Sequence, residues 1–154
     1  MLFRSGEKAR YTRLKSALEV MTGKLVYFGT DPGRAAAMKL AGNLMLMAIT
    51  TGLVDAAAFL KALDIPRDEI NSLFENFNPG MSVQPRAKRM LAGSFENPSW
   101  ELSMARKDAR LILAEAVGAV PALTMVPHYA ELMDKYIAQG FGHSDWTVMG
   151  RDAL

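Results

Sequence analysis

Apolar residues along this chain recur with a helical period over most of its length, and one short stretch breaks that rhythm. From Glu7 to Met21 the positions Ala9, Tyr11, Leu14, Ala17, Leu18 and Met21 fall near a 3.6-residue spacing. Arg10, Arg13, Lys15 and Glu19 lie between them, which predicts an amphipathic helix. Gly23 ends it, and the β-branched and aromatic run Leu25-Val26-Tyr27-Phe28, bounded by glycines, suits a buried strand. Met1 to Arg4 reads as the stub of another strand.

Asp31-Pro32-Gly33 is turn chemistry, and from Arg34 to about Leu63 only Gly42 and Gly52 weaken a continuous helix, by about 1 kcal/mol each relative to alanine. A helix apolar almost all round must be buried. This one is therefore expected to be the central helix, with its glycines letting another backbone come close and Met38, Met45 and Met47 filling core space. Pro66, Asp68 and Glu69 mark a helix start that should run to about Asn76. Asn76 to Gly80 and Gly93 to Pro98 read as loops around a short helix, Val83 to Leu91, interrupted at its start by Pro85. Trp100 to Val117 carries an apolar stripe through Leu102, Ala105, Ala109, Ile112, Leu113 and Ala116. Gly118 to Pro121 separates it from a last long helix, Ala122 to Gln139, which Pro127 should kink or delay and Gly140 to Gly142 should close. After that, Ser144 is expected to cap one short turn at most. The architecture is predominantly all-α, with six or seven helices and at most two small strands.

At 154 residues and 50% apolar composition the chain suffices for one core-bearing domain. Its 18 basic and 16 acidic residues leave a net charge of +2, too small a surplus to point to nucleic acid. There is no cysteine, so disulfides and thiolate metal sites are excluded and a cytoplasmic location is expected. No membrane association is expected either, because the longest uncharged run, Leu40 to Val54, falls short of the roughly 20 residues a spanning helix needs. His128 and His143 lack partners at metal-ligand spacing, and no metal is expected. Arg86, Lys88 and Arg89 read as a solvated helix face. Asp55 is either the buried partner of a cation or solvent-facing.

The candidate chemistry lies on the long helix. A lysine on a buried helix face is costly unless it is paired or faces a polar cavity, and burial can lower its pKa to about 7 to 8, where it can give and take a proton. Lys39 is such a lysine, with Asn43 one turn on and on the same side, able to orient the amine or bind a substrate hydroxyl. Spacing alone leaves open the other reading, in which Lys39 snorkels to solvent.

The string Gly29-Thr-Asp-Pro-Gly-Arg-Ala-Ala-Ala-Met-Lys-Leu-Ala-Gly-Asn43 resembles the signature that opens the C-terminal domain of the β-hydroxyacid dehydrogenases, the family of 3-hydroxyisobutyrate dehydrogenase. In that family a glycine-rich turn leads to a catalytic lysine and then to an asparagine four residues on, positions matched by Lys39 and Asn43. Lys107-Asp108, preceded by the aromatic loop Phe95 to Trp100, is similar to the family's second lysine motif, and Gly140 to Asp145 to its Gly-x-Gly-x-x-Asp ending. Two positions depart from the pattern: Ala35 stands where the family usually has the second glycine of its turn, and Gly42 where it has the first of two asparagines. The related imine reductases typically replace the lysine, so its presence favours alcohol or carbonyl chemistry.

The resemblance implies a 6-phosphogluconate dehydrogenase C-terminal-like helical bundle, with residues 1–30 as the end of a cofactor-binding domain and 31–154 as the helical substrate and dimerisation domain. It implies NAD or NADP as cofactor, a small 3-hydroxy acid as substrate, Lys39 as the catalytic proton shuttle, Asn43 as a substrate-binding residue and Lys107 as a cofactor-binding residue. The Gly-x-Gly-x-x-Gly turn that holds a dinucleotide pyrophosphate is absent from this chain, so tight cofactor binding and activity by the chain alone are not expected. A separate cofactor-binding domain is one expected partner. A second copy is another, since a short strand with few neighbours leaves an apolar edge. The competing expectation is a non-catalytic helical oligomerisation module derived from the same family.

Overall fold

The computed structural model describes residues 1–153 and divides into two compact units, Met1–Thr50 and Thr51–Leu154. In the first unit, strand β1 (Leu2–Arg4) leads into helix α1 (Lys8–Val20) and strand β2 (Leu25–Tyr27). The strands pair in parallel, with Leu2 opposite Leu25 and Arg4 opposite Tyr27. A parallel pair needs a crossover connection, and α1 supplies it. Tyr11 of α1 stacks on Tyr27 of β2 at 4.4 Å, and Lys8 lies over both rings; of the apolar face read from the sequence, Tyr11 and Leu18 are half-buried, while Ala9, Leu14, Ala17 and Met21 are exposed.

Helix α2 (Arg34–Ala62) runs for 29 residues, which is about 43 Å. It is not buried as its composition predicts. Only Asp55 and Ala58 are buried along it, while Leu40, Leu44, Leu46 and Met47 are each about two-thirds exposed. Met38 and Met45 are exposed as well, and thus do not fill a core within this chain. Nothing lies within 4 Å of a Cβ placed on Gly42, so the close approach that glycine permits is not made here either. The physical reason is that apolar composition does not itself supply a packing partner: the buried positions lie toward the helix's C-terminal end, where Asp55 accepts from the Thr124 and Met125 N–H groups. By length and composition α2 also meets the requirement for crossing a membrane.

In the second unit α2 ends where Asp64 takes a left-handed conformation at φ 56°, letting the Ile65 N–H return to the Leu60 carbonyl at 3.0 Å. Helix α3 (Arg67–Asn76) follows, with Asp68 and Glu69 in its first turn as read from the sequence. A 3₁₀ turn (Pro79–Ser82) leads into α4 (Val83–Ala92). Pro85 does not interrupt α4, because it sits in the first turn, where its missing N–H would have had no partner. Pro127 likewise sits in the first turn of α6 (Met125–Tyr136), which starts three residues after the expected Ala122, the delay read from that proline. Helix α5 (Leu102–Glu115) and α6 form the centre of this unit's core, in which Leu102, Ala105, Ala109, Ala130, Met133 and Tyr136 are buried with Phe95 and Val148. Gly140, at φ 92°, turns the chain after α6. The C-terminal segment is a 3₁₀ helix of eight residues (Trp146–Ala153), longer than the single turn expected. Asp145, and not Ser144, caps it: its Oδ1 accepts from the Thr147 N–H at 3.1 Å and from the Thr147 hydroxyl at 2.6 Å.

Candidate active site

Two side chains start α2. The Asp31 carboxylate accepts from the Gly33 N–H at 2.9 Å, closing the turn that the Asp-Pro-Gly string predicts. Ser5, just past β1, accepts from the Ala35 N–H at 3.0 Å and donates to the Pro32 carbonyl at 3.0 Å. A hydroxyl thirty residues upstream therefore acts as a helix cap, satisfying one of the otherwise unpartnered N–H groups of the first turn. It fixes the start of α2 against the C-terminal end of β1. Lys39 stands one turn beyond Ala35 on the same side, and Asn43 one turn beyond Lys39.

Lys39, with Ala35, Ala36 and Pro32, lines a cavity of about 570 Å³ whose other wall is β1 and the residues beside it, including Phe3, Arg4 and Ser5. The volume is in the range of small-molecule sites. Lys39 is exposed within this chain and Asn43 half-buried, so the desolvation argument for Lys39 does not apply to this chain alone. What the structure does supply is a cavity with the lysine on its wall. Serine at position 5 and arginine at position 4 were not singled out from the sequence; the partners of Ser5, Pro32 and Ala35, lie 27 and 30 residues further along the chain.

Lys107 lies on α5 in the second unit, largely exposed, with its ammonium 3.2 Å from the carboxylate of Asp108. Lys39 and Asn43 thus share a helix face in one compact unit, and Lys107 belongs to the other.

Two buried carboxylates organise the second unit. Asp55, at the C-terminal part of α2, has no cation partner among the described residues; its oxygens accept from the backbone N–H groups of Thr124 and Met125 at 2.8 to 3.2 Å and from the Thr124 hydroxyl at 3.0 Å. It caps α6 from another helix. Burial pushes its pKa up, but these hydrogen bonds outweigh burial and hold it below the ordinary value. Asp145 is fully buried, and beyond Thr147 it takes the Arg89 guanidinium at 2.7 Å and both the N–H and hydroxyl of Ser99 at 2.8 Å. Here too burial raises the pKa and the hydrogen bonds from Thr147 and Ser99 more than reverse it, to about 2. The basic cluster on α4 is accordingly more than a solvated face: Arg89 is tied to Asp145, and Arg86 lies over the Trp146 ring at 4.6 Å. Among the described residues no group of histidines and carboxylates is arranged to hold a metal ion.

No protein-family model and no curated protein matches this sequence. Solved structures do match in fold. An imine reductase from Myxococcus stipitatus in complex with NADP+ superposes with a TM-score of 0.88 at 18% identity, over 99% of this chain and 54% of that one. An imine reductase from Streptomyces aurantiacus gives 0.77 at 21% identity, over 99% and 54%. A reductive aminase from Aspergillus terreus, in complex with NADPH4, cyclohexanone and allyl amine, gives 0.77 at 18%, over 97% and 52%. The chain spans about half the length of these structures and shares the fold of their helical C-terminal domain, a predominantly α bundle with two residual strands.

Proposed function

We propose that this chain is the helical substrate and dimerisation domain of an NAD(P)-dependent oxidoreductase acting on a small 3-hydroxy acid, working in the cytoplasm together with a cofactor-binding domain that these residues do not contain. The observation that carries this reading is Lys39 on the wall of a ligand-sized cavity, with Asn43 one turn on along the same helix. The fold shared with nicotinamide-binding reductases agrees with it. Lys39, retained where imine reductases typically have another residue, argues for a hydroxyl or carbonyl substrate over an imine.

The residues present do not fit a dinucleotide by themselves. The first unit has a single parallel strand pair, and the helix after β1 starts at Lys8 with Glu7 as its N-cap residue, whose carboxylate would repel a pyrophosphate. Bound elsewhere in the whole protein, a nicotinamide would supply the hydride partner. This chain's share is the proton. Lys39 accepts it from the substrate hydroxyl in oxidation and returns it to the carbonyl oxygen in reduction, and Asn43 orients that oxygen or the amine. Lys107 serves cofactor binding.

The chain would act as a homo-oligomer. The exposed apolar face of α2 favours a second copy as its cover, since Asp55, buried and hydrogen-bonded to α6, holds that end of the helix in protein and not in lipid. That face also gives a second reading some support, a non-catalytic assembly module. The two part on Lys39. In a mixture of this chain with a separately expressed cofactor domain of a related dehydrogenase, Lys39→Ala should lower turnover of a 3-hydroxy acid about 10²- to 10⁴-fold and leave the sedimentation behaviour unchanged. Turnover equal to that of the unaltered chain would overturn the assignment of Lys39, and no turnover from either would favour the assembly module.

A further inference from the structure

The cavity beside Lys39 carries a second feature that the proton shuttle does not use. Its two charged side chains are Arg4 and Lys39, and no carboxylate lines it. Neither cation is in an ion pair among the described residues. Arg4 spends one guanidinium N–H on the neighbouring Phe3 carbonyl, at 2.9 Å, and its remaining donors have no acceptor among the described residues. Ser5 is occupied at both its donor and its acceptor side by the helix start. The rest of the lining is small or apolar, with Phe3, Pro32, Ala35 and Ala36 among it. Two unneutralised cations sharing one apolar-walled cavity make a local positive potential that an anion would relieve.

The geometry points to Arg4 as the anchor for the carboxylate of a small aliphatic acid, a specificity-determining residue at the other end of the substrate from the oxygen that Lys39 serves. This rests on the reading of Lys39 as the proton shuttle. An arginine suits the task because its planar guanidinium can meet both carboxylate oxygens at once, whereas a lysine meets them as a point charge. The small and apolar lining at Pro32, Ala35 and Ala36 suits an aliphatic body.

The test is binding, read without turnover. The 154-residue chain, labelled with ¹⁵N, is titrated with 3-hydroxypropionate, propionate, methyl 3-hydroxypropionate and inorganic phosphate while the amide signals of Phe3, Ser5, Ala35 and Ala36 are followed. Both carboxylates should shift those signals saturably and the neutral ester should not. Arg4→Gln should weaken both carboxylates at least tenfold, and Arg4→Lys should recover part of that loss. Lys39→Met should affect 3-hydroxypropionate more than propionate. Carboxylate binding that is absent, or that survives Arg4→Gln unchanged, overturns the assignment. Phosphate binding as tightly, with the same dependence on Arg4, overturns it in favour of a general anion site. The two proposals fail separately: carboxylate binding lost with Arg4→Gln, but no Lys39-dependent turnover in the reconstituted enzyme, would leave the anchor standing and remove the dehydrogenase reading.

Discussion

Asp145 shows how one buried charge can be held by a counter-charge from Arg89 together with four hydrogen bonds from Ser99 and Thr147. Both of its oxygens are pure acceptors here, Oδ1 for Thr147 and Oδ2 for Arg89 and Ser99. Asp145→Asn would place an NH₂ group against N–H and O–H donors in either amide orientation, and would leave the Arg89 guanidinium without its counter-charge. We expect a loss of about 2 to 4 kcal/mol, measured by urea unfolding. The pH dependence has a definite sign. Because the folded pKa, about 2, lies below the ordinary 3.8, the carboxylate's contribution is fully present above about pH 4 and is lost as the pH falls toward 2. That contribution is on the order of 2 kcal/mol, and the Asn variant should lack this part of the acid dependence. The sequence ending Gly140 to Asp145 singled out this aspartate, but not its role, because Arg89 and Ser99 lie 56 and 46 residues away along the chain. Asp55 taught the same lesson: a cation partner and exposure were the expected alternatives, and the helix start of α6, 69 residues on, was neither.

At the level of elements, the helices were legible and their caps were not. The 3.6-residue spacing located α1, α2 and α5 within about two residues, since periodicity is a local property of the chain. The cap of α2 is a remote serine. Ser5→Ala should therefore destabilise the first turn of α2 by about 1 kcal/mol and speed hydrogen exchange at the Ala35 amide, with the second unit's amides unchanged. Unchanged exchange at Ala35 would show that the turn at Asp31 to Gly33 suffices to hold the helix start. Proline was the opposite case. Pro85 looked like an interruption and Pro127 like a kink or a delay; α6 does begin at Met125, three residues after the expected start, and both prolines proved compatible with first-turn positions, because the groups they lack or block have no partner there in any case.

For the whole molecule, the open question raised by the sequence is what covers α2. Its apolar character was read correctly and its burial within one chain was not, because composition tells that a surface must be covered and says nothing about which chain covers it. Leu40 and Leu44 are adjacent turns of one exposed face. If a second copy covers it, the double substitution Leu40→Lys with Leu44→Lys should shift sedimentation equilibrium from dimer toward monomer, while far-ultraviolet circular dichroism keeps its helical signal. A species that is monomeric before and after, or that sediments with phosphatidylcholine vesicles only while the leucines are intact, would reject the second copy.

The sequence by itself determined the predominantly helical architecture, the two short strands, and the placing of Lys39 and Asn43 on one face, since all of these follow from short-range spacing and backbone preference. The resemblance of the Gly29 to Asn43 string to a known signature anticipated a fold that the solved structures share. Only the tertiary structure decided that Arg4 and Ser5 stand beside Lys39's cavity, that Asp55 and Asp145 are buried helix caps, and that α2 presents its apolar face outward. These depend on which distant segments meet, and a hydrogen bond between residues tens of positions apart leaves no periodic trace in the chain that makes it.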